Sequence, residues 1–228
     1  MDETSPETSR RIGRGVFLAT VAGGVSSLLW GKAAWDHVSH AISPIESLVP
    51  LLPSGGWRIY TISGSLPRFD ERTWRLQVGG HVHEAASFSY RDLLALPKVE
   101  QVSTFHCVTG WSVKNVNWGG VRLHDVLAHA RPAATAHALE FVSAEKPYVD
   151  SLTLEQASLQ DVMLAYEMDG RPLSRAHGAP LRLVIPEMYG YKNVKWLHRI
   201  ELVPDLRPGF WEQNGYDVDA WVGRSNGY

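Results

Sequence analysis

The chain has 228 residues, of which 44% are hydrophobic, 20% charged and 10% aromatic, and its formal net charge is −2. This composition is that of a globular protein and excludes the disordered, fibrous and multi-span membrane classes. The small negative charge argues against nucleic-acid binding, which usually requires a strongly basic domain. The single cysteine excludes an intrachain disulfide and a zinc site with several cysteine ligands.

The beginning of the chain is typical of an export signal. Residues 15–31 carry no charged side chain and follow a basic front formed by Arg10, Arg11 and Arg14. Because a membrane-spanning helix needs about 20 strongly apolar residues, this glycine-containing run is short for a permanent anchor. The Arg10-Arg11 pair is similar to a twin-arginine signal, with an ordinary Sec signal or a short anchor as alternatives. We expect an export signal or N-terminal anchor, a linker and one folded domain, over residues 1–41, 42–56 and 57–228.

The folded domain is predicted to contain more strand than helix. Alternating apolar residues predict a strand at 74–78 that ends at Gly79-Gly80, and β-prone residues predict another at 99–106. An Asp169-Gly170 turn signal predicts a hairpin. Further strands are expected at 139–143, 162–168, 181–186 and 195–203. These patterns indicate a mixed α+β fold.

Three short helices are predicted between these strands. Ser89 with Asp92, and Thr153 with Gln156, have the spacing of capping boxes, in which each side chain bonds to the other residue's backbone N–H. The first of these helices should cover 91–96, and a further helix should follow Val121, over residues 123–130.

Cys107 is the first candidate for chemistry. It follows a predicted strand and precedes a turn that contains Gly110, and functional residues are common in such loops. Three interpretations remain open from the residues alone. The side chain is a small buried hydrophobic group, the nucleophile of a Cys–His hydrolase, or a soft ligand for a transition metal.

Two segments of the chain carry a family resemblance. Residues 105–127 contain a Cys followed by a Trp-Ser turn, and residues 177–203 contain a Gly-Ala-Pro-x-Arg strand and a Tyr-Gly-aromatic-Lys-x-x-Lys loop. In this order and spacing they resemble the sulfite-oxidase-fold molybdenum enzymes, and most closely the short bacterial branch that includes the periplasmic methionine sulfoxide reductase catalytic subunit. The resemblance implies a sulfite-oxidase-type fold of mixed sheets with short helices, and a Mo-molybdopterin cofactor with one molybdenum per chain.

The resemblance also implies roles for particular residues. Cys107 matches the single protein ligand of the molybdenum. The residues that match cofactor-contacting positions of the family are Tyr60, Thr61, Ser143, His177, Arg182, Asn193, Val194 and Lys195. A planar cation with several donors, such as Arg182, suits a phosphate contact.

The reaction that the resemblance implies is oxygen-atom transfer. None of the six residues after Cys107 is an arginine, and Trp111 is expected to form an apolar wall of the site. Such a pocket favours a neutral sulfoxide or N-oxide, methionine sulfoxide above all. Thr109 departs from the acidic residue that the reductases usually carry at this position. Sulfite oxidation, with Lys114 as the nearest cation, and a metal-free binding module are the alternatives.

We expect the substrate to be a small-molecule or protein-bound oxide, with no nucleic acid involved. The resemblance implies a separate electron-transfer partner, for which a membrane b-type haem protein is one candidate. Because little chain follows the last matching strand, we expect a monomer. The expected location is periplasmic or otherwise extracytoplasmic, with membrane anchoring through an uncleaved N-terminal signal as a variant.

Overall fold

The computed structural model describes residues 56–226. The predicted export signal and most of the predicted linker lie outside the described residues. Within residues 56–226, no helix has both the length and the hydrophobicity needed to cross a bilayer. The strands are β1 (Arg75–Gly80), β2 (Ala86–Ser89), β3 (Val99–His106), β4 (Ser112–Arg122), β5 (Ala138–Ser143), β6 (Val149–Thr153), β7 (Met163–Met168), β8 (Arg171–Pro172), β9 (Arg182–Val184) and β10 (Leu197–Val203). The α-helices are α1 (Tyr90–Ala95), α2 (Leu123–Ala130) and α3 (Leu154–Ala157), and 3₁₀ turns cover Arg175–His177 and Glu212–Asn214.

The strands form two five-stranded sheets. The first has the order β2-β1-β10-β5-β6, in which β1 and β10 are parallel and the other neighbours antiparallel. The second has the order β3-β4-β7-β8, with β9 also paired to β7, and is antiparallel throughout. The expected mixed α+β fold with short helices is confirmed.

Most of the predicted elements are confirmed. The strand predicted at 99–106 has those bounds, and both capping boxes are present, at Ser89 with Asp92 and at Thr153 with Gln156. The hairpin around Asp169-Gly170 joins β7 and β8. The strand predicted from residue 195 begins later, at Leu197, because Trp196 has a positive φ of 51° that a strand does not accommodate.

Strand β4 is the main element that the sequence patterns did not predict, and β2 and β6 were missed as well. Strand β4 contains Gly119 and Gly120, which weaken strand propensity. The structure explains Gly120, because a Cβ there would lie 2.1 Å from the carbonyl oxygen of Leu164 in β7. The close approach of β4 and β7 therefore requires glycine at position 120, and the same glycine makes β4 hard to predict from the sequence.

A separate apolar cluster lies beside the second sheet, next to the loop that follows β3. Its buried members include Trp57, Trp118 and Val184, and the partly buried Phe105 and Trp111 pack against it. The Cys107 loop therefore packs against this cluster through Trp111, and the end of β3 packs against it through Phe105.

Candidate functional site

Cys107 begins the tight loop between β3 and β4. Its N–H donates to the carbonyl of Trp111 at 2.9 Å, and the N–H of Gly110 donates to the Cys107 carbonyl at 3.1 Å. Gly110 has a φ of 91°, a conformation that favours glycine. The predicted strand-end position of Cys107 is therefore confirmed, and backbone hydrogen bonds at both ends of the loop fix its shape.

Cys107 is partly buried, and its sulfur is in contact with a hydroxyl group. Its Sγ is 3.1 Å from Oγ1 of Thr109. Burial raises the pKa of the thiol, while the hydrogen bonds from Thr109 and the positive charge of Arg58 act in the opposite direction. Since desolvation is the largest effect, the free side chain favours the thiol, and a bound metal ion would be needed to hold it as the thiolate.

Trp111 forms part of an aromatic wall beside this loop. Its ring centroid lies 5.6 Å from that of Phe105, 6.2 Å from Trp57 and 6.5 Å from Tyr60. Its indole Nε1 is buried and has no hydrogen-bond partner among residues 56–226. Trp111 thus packs against the apolar cluster and also carries a donor that no described protein group satisfies.

Arg182 is a buried cation on β9, with 2% of its surface exposed. Its guanidinium donates to the carbonyls of His177 at 3.2 Å and Asn193 at 3.4 Å, and it lies 4.9 Å from the ring centroid of Trp118. Burial lowers the pKa of Arg182 to about 10. Among the described residues no carboxylate pairs with it, so the site holds a desolvated positive charge that an anion would compensate.

Lys195 brings a second positive charge to the same place. Its Nζ donates to the carbonyl of Tyr60 at 2.7 Å. Burial and the charge of Arg182 lower the pKa of Lys195 to about 7, and the carboxylate of Glu145 opposes this shift. This contact joins the segment that carries Tyr60 and Thr61 to the Lys195 loop. Within that segment, Thr61 Oγ1 accepts a hydrogen bond from the N–H of Gly64 at 3.0 Å.

His177 lies between these groups and the aromatic cluster. Its ring centroid is 4.9 Å from that of Trp57, and its buried Nδ1 has no partner among residues 56–226. Burial, followed by the charges of Arg182 and Lys195, lowers the pKa of His177 to about 4, so the imidazole is neutral near pH 7. The next residue, Gly178, has a φ of 105°.

Ser143, Asn193 and Val194 use their polar groups within the protein. Ser143 Oγ donates to the carbonyl of Lys195 at 2.8 Å and accepts from the N–H of Glu145 at 3.0 Å. Asn193 Oδ1 accepts from the N–H of Ile185 at 2.8 Å, and the Val194 carbonyl accepts from Leu183. These contacts hold the loop at 193–195 in place, and direct cofactor contacts from the three residues remain predictions.

The other lysine of this loop is fully buried. Lys192 Nζ donates to Asp150 Oδ1 at 2.9 Å, to the carbonyl of Ser151 at 2.9 Å and to Glu212 Oε1. We call Lys192, Asp150 and Glu212 the buried triad. It joins the loop to β6 and to the 3₁₀ turn at Glu212–Asn214.

The structure brings most of the predicted site residues together. Cys107, Trp111, His177, Arg182, Lys195 and Tyr60 are linked through the contacts above, and Ser143, Asn193 and Val194 support them. Sequence reasoning did not select Trp57, Phe105 and Trp118, which pack between the predicted polar groups. The high tryptophan count, nine in the chain, was the available signal for such a wall. Among residues 56–226 no cluster of three or more His, Cys, Asp or Glu side chains suits a metal ion.

The chain is similar in sequence to several known proteins. Residues 63–211 match the family described as oxidoreductase molybdopterin binding domain. The uncharacterized oxidoreductase YuiH of Bacillus subtilis is 34% identical over 85% of this chain and 96% of its own length. The sulfite oxidase of Arabidopsis thaliana is 33% identical over 68% of this chain. The protein-methionine-sulfoxide reductase catalytic subunit MsrP of Campylobacter jejuni is 28% identical over 63% of this chain.

A solved structure is similar as well. The sulfane dehydrogenase SoxCD from Paracoccus pantotrophus superposes with a TM-score of 0.58 and 25% identity, over 62% of this chain and 41% of that one. The chain spans about half the length of the plant sulfite oxidase and of MsrP, 48% and 54% respectively.

Proposed function

Because this chain belongs to the family of molybdopterin-binding oxidoreductases, we propose that it is an extracytoplasmic enzyme that transfers an oxygen atom from a neutral oxide. The substrate class that we favour is a sulfoxide, methionine sulfoxide above all, or a similar S- or N-oxide. The observation that carries the proposal is the grouping in one site of Cys107, a tryptophan wall and the buried Arg182, which has no carboxylate partner among the described residues, with Lys195 beside it.

The polar groups of the site suit a molybdopterin cofactor. The phosphate of such a cofactor would compensate the charge of Arg182, which has no carboxylate partner among the described residues. Lys195 lies close enough to Arg182 for the charge of Arg182 to lower the pKa of Lys195. The buried Nδ1 of His177 and Nε1 of Trp111 lack partners among residues 56–226. Unpartnered buried nitrogens are costly in a protein without a ligand, so a polar ligand at this place would relieve them.

Cys107 would be the protein ligand of the molybdenum. A thiolate is a soft donor and suits this metal, and the loop between β3 and β4 holds the sulfur at a fixed position. One such residue suffices where the cofactor supplies the remaining sulfur ligands. When bound, the cofactor supplies the two-electron chemistry of oxygen-atom transfer.

The aromatic wall supports the choice of a neutral substrate. The rings of Trp57 and Tyr60 lie within 6.5 Å of that of Trp111 in the Cys107 loop, and the segment from Val108 to Val113 contains no cation. Placing a dianion against such a surface has a large desolvation cost, whereas a sulfoxide needs only one hydrogen-bond donor for its oxygen.

Sulfite oxidation is the second candidate, because one observation favours it. The positive charge of Arg58 is close enough to lower the pKa of the Cys107 thiol. Arg58 is exposed and directly follows Trp57, so its side chain is a possible anchor for an anionic substrate at the mouth of the site.

A separate electron-transfer partner and export are further parts of the proposal. MsrP is named as a catalytic subunit, and a relative from Azospira oryzae, 31% identical over 68% of this chain, is named as a putative reductase subunit, YedZ1. These names support an enzyme with more than one subunit, and a membrane b-type haem protein is our candidate partner. The twin-arginine-like pair supports export of the folded, cofactor-loaded chain to the periplasm.

The test is a comparison of two reactions in one molybdenum-loaded preparation. We expect a larger kcat/KM for methionine sulfoxide with a chemical electron donor than for sulfite with ferricyanide. A ratio that favours sulfite tenfold, about 1.4 kcal/mol of transition-state preference, would overturn the substrate choice. Purified protein without molybdenum, from a molybdenum-replete host, would instead indicate a metal-free binding module.

A pair of arginine variants separates the two candidates further. Arg58→Met should lower sulfite turnover and leave sulfoxide turnover unchanged if Arg58 holds an anion. Arg68→Met, at another exposed arginine, is the matched control for the loss of one surface charge. If Arg58→Met lowers neither reaction, the argument for a sulfite site at Arg58 fails.

A further inference from the structure

The hydroxyl of Thr109 is in direct contact with the sulfur of Cys107. The Oγ1 to Sγ distance is 3.1 Å. A thiolate has no hydrogen to give, so in the deprotonated form the hydroxyl must be the donor of this hydrogen bond.

The loop holds this hydroxyl in place. Thr109 lies between Cys107 and Trp111, whose backbones are joined by a hydrogen bond of 2.9 Å, and the next N–H, that of Gly110, donates back to Cys107. The loop is also framed by the pairing of His106 with Ser112 across β3 and β4. A side chain two residues after the sulfur is thus held above it by the closed turn and by the restricted χ1 of a β-branched residue.

We propose that Thr109 is a positioning residue that donates a hydrogen bond to the Cys107 thiolate and thereby limits the electron density that this sulfur gives to a bound metal. The inference rests on the proposed function, in which Cys107 is the molybdenum ligand. It adds to that function a residue that sets the reduction potential of the metal.

The physical reason is the sensitivity of metal–thiolate bonding to hydrogen bonds at sulfur. A donor that points at the sulfur withdraws charge from it, so the thiolate stabilises the oxidised metal less and the reduction potential rises. An ionised acidic side chain at this position has no hydrogen to donate and would have the opposite effect.

Two substitutions isolate the hydroxyl. Thr109→Val keeps the shape and the β-branch and leaves the backbone N–H in place, and Thr109→Ser keeps the hydroxyl and loses only the methyl group. The measurements are molybdenum per chain, by mass spectrometry, and the midpoint potential of the metal, by a redox titration followed with EPR. We expect Thr109→Val to shift the potential to more negative values and Thr109→Ser to retain the wild-type value.

The outcomes distinguish this inference from the proposed function. Equal potentials in wild type and Thr109→Val, or a shift in Thr109→Ser as large as that in Thr109→Val, would overturn the role of the hydroxyl. Loss of molybdenum in Thr109→Val would also contradict it, because removal of a donor that withdraws charge should leave the thiolate at least as strong a ligand. A wild-type chain that contains no molybdenum, or a Cys107→Ser variant that keeps it, would contradict the proposed function itself.

Discussion

Replacement of Lys192 by methionine should destabilise the fold by about 3–5 kcal/mol, the usual cost of removing one partner from a buried ion pair. Lys192 is 2% exposed and donates three hydrogen bonds, two of them to the carboxylates of Asp150 and Glu212. The second oxygen of each carboxylate has no hydrogen-bond partner among the described residues. Without the ammonium group, two acidic side chains would face each other in the core with no positive charge between them.

The loss should depend on pH in a defined direction. Burial, with a further contribution from Glu212, raises the pKa of Asp150 well above its ordinary value, and Lys192 opposes this. A carboxyl group whose pKa is higher in the folded than in the unfolded state favours folding when protonated, and this contribution is lost as pH rises through the folded-state pKa. Since Lys192→Met removes the opposing charge, its deficit relative to wild type should be small near about pH 4, the ordinary pKa of an aspartic acid, and should grow as the pH rises.

Urea unfolding of the purified chain, followed by tryptophan fluorescence, measures this difference. Lys98→Met is the matched control, because Lys98 pairs with Glu167 at 2.6 Å at a position where 41% of the lysine side chain is exposed. Such a pair contributes at most about 1 kcal/mol. The combined variant Lys192→Met, Asp150→Asn, Glu212→Gln removes the buried charges together and should recover much of the lost stability.

The result that would refute this reasoning is specific. If Lys192→Met lies within about 1 kcal/mol of wild type near pH 7, the buried triad does not contribute as a charged unit. A deficit that is the same at pH 7 and at about pH 4 would show that lost packing, and not the uncompensated carboxylates, causes it.

Three further predictions test the metal ligand, the packing of the site and export. Cys107→Ser should lose its molybdenum while the circular dichroism spectrum is unchanged; retention of the metal would contradict the ligand assignment. Gly190→Ala should cost about 1–3 kcal/mol of unfolding free energy, because its Cβ would lie 2.3 Å from Cζ of Phe105; a variant as stable as wild type in urea would show that the ring moves away freely. Replacement of Arg10-Arg11 by Lys-Lys should trap folded protein in the cytoplasm, which cell fractionation would detect, and unchanged export would argue for the Sec route.

The sequence by itself determined the features that depend on local interactions. The capping boxes at Ser89 and Thr153 need residues only three positions apart, and the 99–106 strand is encoded by its own β-prone residues. The position of Cys107 at the end of that strand follows from the same pattern. Family membership was also accessible, because two segments with specific spacing carry it.

Tertiary structure decided the features that join distant parts of the chain. Strand β4 contains glycines that are unfavourable locally and become necessary only because β7 approaches so closely. The buried triad joins residues 42 and 20 positions apart, and no local pattern in the sequence marks Asp150 or Glu212 as partners of Lys192. No local pattern marks Arg182 as unpaired either. It lacks a carboxylate partner among the described residues because none of the side chains packed around it is acidic. Charge compensation and close packing are set by neighbours in space, so they became visible only when the chain was folded.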